Sequence, residues 1–253
     1  MESVIEVAIG FVTAALIGLT GIGGGVALTP MLIVFLSMPA AEAVGTGLAF
    51  ASIVNALVLP MYALRRKVSF RVAGWMLLGG IPGVVAGGLL LNRVSAAANH
   101  RWIYFLLGLM IISASLLNLY RLVGKNTELA QGNRPKLMAL LMLPIGVETG
   151  FSSAGSGSFG SLALLWFTRL SASEVVGTSV CFALGMQVVG GAIQVAAGHY
   201  DGGVLLKLLA GGVFGAIAGS ALAIRLPSRP LKYGLAAWLA ILGVQLCVRG
   251  LTS

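Results

Sequence analysis

Apolar residues run in long stretches separated by short polar ones: Ala41 to Leu64, Val72 to Leu91, Trp102 to Tyr120, Val175 to Ala197, Val204 to Ile224 and Leu231 to Val248. Each is about 20 residues long, the length a helix needs to cross ~30 Å of hydrocarbon. Two further apolar segments, Val4 to Phe35 and Leu137 to Phe167, are interrupted midway. The first breaks at Gly21-Ile22-Gly23-Gly24-Gly25 and the second around Ser152-Ser153-Ala154-Gly155-Ser156-Gly157-Ser158. Each predicts two short helices meeting inside a membrane, as a re-entrant hairpin or an even number of crossings. The pattern predicts an all-α polytopic membrane protein with nothing left over for a soluble domain.

The chain also repeats itself. Ala41-Glu42-Ala43-Val44-Gly45-Thr46 returns as Ser173-Glu174-Val175-Val176-Gly177-Thr178, an offset of 132. At that offset Gly18 meets Gly150, Gly23 meets Gly155, Gly25 meets Gly157, Phe50-Ala51 meets Phe182-Ala183 and Arg93 meets Arg225, with no gap. Gly79, Gly80, Gly83 and Gly87 match Gly211, Gly212, Gly215 and Gly219, and their helical spacing reads as a packing face. The expected organisation is a first repeat over 1–122, a linker over 123–136 rich in polar residues, Gly and Pro, and a second repeat over 137–253.

Composition agrees: 58% of residues are hydrophobic and 9% charged, against about 25% charged in soluble domains. The net charge of +9 would suit nucleic acid, but the basic residues lie in short interhelical loops, where they set topology. Leu64 to Arg71 holds Arg65, Arg66, Lys67 and Arg71, whereas its repeat, Ala196 to Gly203, holds only His199 and Asp201. Equivalent loops are thus expected on opposite faces, giving inverted repeats with an odd number of crossings each. The linker and the Arg65–Arg71 loop are expected to be cytoplasmic. Met1 to Gly10 has Glu2 and Glu6 but no Lys or Arg, so insertion is expected through the chain's own helices. Cys181 and Cys247 fall in separate apolar stretches, which does not support a disulfide framework.

Non-helical backbone at membrane depth is tolerated only where protein or a watery cavity satisfies it. The breaks therefore suggest a site. Helices beginning after Gly25 and near Ser158 would aim free N–H groups and positive dipole ends into it, an arrangement that attracts an anion. On this reading Gly23, Gly24, Gly25, Ser153, Gly155, Ser156 and Gly157 bind substrate near the midplane; on the alternative, the glycines only allow close packing. Thr46 and Thr178, and Asn55 and Gln187, are each 132 apart and suit a central site. An interhelical hydrogen bond that merely ties helices is the competing reading of the amides. Glu148 is an acid within an apolar segment beside the second break, a proton-coupling candidate unless it lies at an interface. Glu42 and Glu174 open their stretches, where an acid stabilises a helix N-terminus.

Gly21-Ile-Gly-Gly-Gly25 followed by Pro30, Ala43-Val44-Gly45-Thr46, and their counterparts at Gly155-Ser-Gly157 and Val176-Gly177-Thr178 resemble the sulfite exporter TauE/SafE family over nearly the whole chain. The resemblance implies a multi-pass inner-membrane transporter of sulfur-containing anions, such as sulfite or an organosulfonate like sulfoacetate, coupled to an ion gradient. Serines at 153, 156 and 158 depart from the glycine run of the first half. A homodimer is a candidate assembly. No metal-ligand cluster and no phosphate-binding loop ending in Lys-Ser or Lys-Thr is seen, and no cofactor is expected. Two other readings are a passive anion channel and an intramembrane serine hydrolase acting through Ser156. The latter lacks a base, because His100 and His199 lie near helix ends.

Overall fold

The computed structural model describes residues 2–20, 25–96, 100–123, 135–222, 240–248 and 250–251. Among these the regular elements are all helices: α1 (Glu2–Thr20), α2 (Gly25–Phe35), α3 (Ala40–Ala63), α4 (Phe70–Ala96), α5 (His100–Val123), α6 (Pro135–Ser152), α7 (Gly155–Phe167), α8 (Ala172–Ala196) and α9 (Gly202–Leu222), then α10 (240–248). Helices α3, α4, α8 and α9 are long and apolar enough to cross a membrane, and α1, α2, α5 and α6 contribute shorter apolar runs. The sixth apolar stretch lies within the described residues only from 240 onward, and most of the linker, 124–134, lies outside them. Pro30, Pro60, Pro82 and Pro144 sit inside helices, a placement that membrane helices accommodate because neighbours re-satisfy the freed carbonyls.

The closest packing follows the glycine faces. Helix α4 lies along α6, and a Cβ added to Gly79, Gly83 or Gly87 would run into the backbone of Ala139, Leu143 or Val147. Helix α1 lies along α9 in the same way, with Gly211, Gly215 and Gly219 against Val7, Phe11 and Ala15. Contacts advance in the same direction along both partners, so each pair runs parallel, and each of these three contacts in one pair has its counterpart 132 residues away in the other. The neighbouring glycines, Gly80 and Gly212, leave room for the buried rings of Phe182 and Phe50. Small residues thus bring helix backbones together where lipid offers no hydrophobic drive.

Helices α3 and α8 pack on each other in the middle. Each also clasps a loop belonging to the other half. The Ser69 N–H donates to Thr178 Oγ1 at 3.0 Å, and the Asp201 N–H donates to Thr46 Oγ1 at 3.0 Å. Gly177 admits the Lys67 carbonyl and Gly45 admits the His199 carbonyl, neither of which would clear a side chain. The two loops share a backbone course: Arg66 at φ 54° and Gly198 at φ 76° hold equivalent positions. Val-Gly-Thr therefore recurs because each copy receives the other copy's loop.

Candidate functional site

Helix α6 ends at Ser152 and α7 begins at Gly155. The turn between them places Ser153 at φ 67°, the left-handed region that few non-glycine residues enter. It is closed by two local bonds, Ser153 N–H to the Thr149 carbonyl at 2.8 Å and Ala154 N–H to Ser152 Oγ at 3.2 Å. Residues 149–158 are all buried. The N-cap of α7 is Ala154, which makes no side-chain cap bond, so nothing from its own cap meets the free N–H groups that open the helix.

Around this turn lie hydroxyls with nothing to bond. Ser153 Oγ, Ser156 Oγ and Ser158 Oγ are buried without hydrogen-bond partners, and Thr29 Oγ1 of α2 is the same. Thr29 and Ser153 converge on α3, where a Cβ on Gly47 would sit 2.8 Å from Thr29 Oγ1 and 3.5 Å from Ser153 Oγ. The α2 segment and the α6–α7 turn thus approach one another across Gly47. Buried polar groups are normally paired, and these four oxygens are not.

Glu148 reaches the turn from one helical turn below. Its Oε1 accepts from Ser152 Oγ at 3.0 Å, while Oε2 is buried with no donor. The carboxylate lies so close over Gly155 that a Cβ there would overlap Oε2. This accounts for glycine at the first position of α7.

Asn55 and Gln187 meet directly. Asn55 Nδ2 donates to Gln187 Oε1 at 2.7 Å, with exposures of 1% and 0%, while Gln187 Nε2 keeps a free pair of donor hydrogens. The tie between helices is therefore formed, and it leaves one amide group of the pair unspent. The hydroxyl oxygens of Thr46 and Thr178 accept the loop N–H groups of Asp201 and Ser69. Gly25 opens α2 and Gly157 lies buried in the first turn of α7; Gly23 and Gly24 lie outside the described residues.

The acid that opens α8 caps it as its position suggests, with Glu174 Oε2 accepting from the Ser171 N–H at 2.8 Å and its hydroxyl at 2.6 Å. Sequence reasoning missed Thr29 and a polar knot at the α8–α9 loop, where His199 Nδ1 lies 2.9 Å from Asn92 Oδ1 and 3.2 Å from Gln194 Oε1. Thr29 was findable, since Ser161 stands 132 residues on. Among the described residues no group of His, Cys, Asp and Glu is clustered to hold a metal.

A "Probable membrane transporter protein YjnA" of Bacillus subtilis (strain 168) is 28% identical to the chain over 96% of it and 99% of the relative. The "Probable membrane transporter protein YdhB" of the same strain is 27% identical over 93% and 96%. A "Probable membrane transporter protein" of Xylella fastidiosa (strain 9a5c) is 32% identical over 45% of the chain and 43% of its own length. No solved structure matches. The sequence profile of the sulfite exporter TauE/SafE family matches residues 6–246; the chain belongs to that family.

Proposed function

We propose that the protein is a secondary transporter that exports small sulfur-containing anions, such as sulfite or organosulfonates of the sulfoacetate kind, across the cell inner membrane, driven by an ion gradient. The observation that carries the reading is the buried, uncapped start of α7, ringed by the unpartnered hydroxyls of Ser153, Ser156 and Ser158. A helix N-terminus favours negative charge, and hydroxyls can donate to anionic oxygens without the penalty of burying a cation. Ser153, Gly155, Ser156 and Gly157 form one wall. Gly25, which opens α2, belongs to the other, with Gly23 and Gly24 just before it in the sequence as its expected partners, and Gln187 Nε2, steadied by Asn55, adds a donor from α8. Thr46 and Thr178 hold the frame around it.

The two halves form inverted repeats around this site, a reading supported by the reciprocal contacts at an offset of 132 and by the opposite charge of equivalent loops. The 123–136 linker and the Arg65–Arg71 loop are then expected on the cytoplasmic face. Glu148, the acid at the α7 turn, is the coupling group.

Flux into proteoliposomes across sulfite, thiosulfate, sulfate and small sulfonates tests the assignment. Accumulation of a sulfur anion against its own gradient, when a proton gradient is imposed, is the expected result. Movement that only ever runs downhill would make the protein a channel, and absence of flux for every sulfur anion would remove the substrate class.

A further inference from the structure

We propose that Glu148 is a resident competitor for the anion site: its carboxylate and the transported anion contend for the start of α7, so each anion enters together with one proton. This rests on the anion-binding reading above and adds the stoichiometry and the order of events.

The carboxylate lies beside the start of α7. Glu148 Oε2 lies over Gly155, the first residue of a 13-residue helix whose cap supplies no acceptor. The site is also built for a further guest, because Ser153 (1% exposed), Ser156 (0%) and Ser158 (4%) have hydroxyls without partners around the same turn. One carboxylate with its Oε1 engaged by Ser152 leaves all of those unused.

Two negative groups cannot share this space, because nothing neutralises them. Of the helices packed against α6, α2 and α7 carry no titratable side chain. Helix α4 carries Arg71 and Arg93 near its two ends, α8 carries Glu174 in its first turn and Cys181, and α5 carries Tyr104 among its described side chains. None of these bonds either oxygen of Glu148. Like charges a few Å apart in a low-dielectric surround repel strongly. A proton on Glu148 removes the repulsion and turns Oε2 from an acceptor, useless to an anion, into a donor for it. The device exists in one half alone: Leu16 stands at the position equivalent to Glu148, and Gly21, Gly24 and Val26 at those of Ser153, Ser156 and Ser158.

The test is binding of methanesulfonate to the purified full-length protein in detergent, because that anion stays ionised throughout and only the protein titrates. Affinity should fall about tenfold per pH unit on the alkaline side, with about one proton taken up per anion bound in weakly buffered solution. Glu148→Gln should bind with no pH dependence and no proton uptake. Wild-type binding that is flat with pH, or an E148Q slope equal to the wild type's, overturns the competition and leaves the anion site standing. If the variant fails to fold, wild-type proton uptake decides alone, and its absence refutes the inference. If wild type binds none of sulfite, thiosulfate, sulfate or methanesulfonate at any pH, the site reading falls and this inference falls with it.

Discussion

Asn55 of α3 and Gln187 of α8 are repeat-equivalent residues that hydrogen-bond each other, amide to amide, at 2.7 Å in the centre of the protein. The bond uses one end of Gln187 and leaves its Nε2 bare. Asn55→Leu should therefore lower stability by about 1–3 kcal/mol, the effect of stranding a buried polar partner. The double variant Asn55→Leu/Gln187→Leu should recover much of that loss, measured as thermal midpoints in detergent. Transport should not recover with it, because the free donor is gone; an apolar pair that transports at the wild-type rate would reduce both amides to packing.

Thr46→Val and Thr178→Val each remove the acceptor of one loop N–H. Both should destabilise by about 1 kcal/mol, and by similar amounts because the two bonds have the same length. Relative affinities among competing anions should stay as in the wild type. A change in anion preference would return the threonines to the site.

Gly83→Leu and Gly215→Leu would drive a side chain into the Leu143 and Phe11 carbonyls. These obstacles are backbone and cannot rotate away, so the expected result is loss of a monodisperse peak on size-exclusion chromatography. Gly74→Leu is the internal control, since nothing lies within 4 Å of a Cβ there, and it should elute as the wild type does.

Gly155→Ala meets side chains and no backbone, chiefly the Glu148 carboxylate and, at 3.1 Å, Thr149 Oγ1. The protein should fold, with the carboxylate pushed off the start of α7, and proton-driven uptake in proteoliposomes should fall about tenfold, the equivalent of ~1.4 kcal/mol at the proposed coupling group. Uptake at the wild-type rate would show that the carboxylate's position is immaterial.

Much of this was legible in the sequence. Apolar run length located the four long helices, because the bilayer fixes how long a crossing must be. The spacing of Gly79, Gly83 and Gly87 announced a packing face, because only glycine lets helix backbones touch. What the sequence withheld was which surface each face meets and which way each polar group is spent. Thr46 and Asn55 look alike as polar residues in an apolar helix, yet one faces a loop from the other half and the other faces its own repeat mate. That distinction depends on rotation about the helix axis and on partners more than 100 residues distant. The overlap of Glu148 with Gly155 is likewise a fact of side-chain reach around a turn that no linear spacing encodes.

The glycine seams have a mechanical consequence. The tightest interfaces join α1 to α9 and α4 to α6, so each welds a helix of one repeat to a helix of the other. The most tightly packed units of the protein are therefore hybrids, each made of one helix from either side of residues 124–134. Rocking one repeat against the other would tear both seams at once, whereas swinging the α1–α9 blade past the α4–α6 blade, about the α3–α8 spindle, leaves the backbone contacts of Gly79, Gly83, Gly87, Gly211, Gly215 and Gly219 intact.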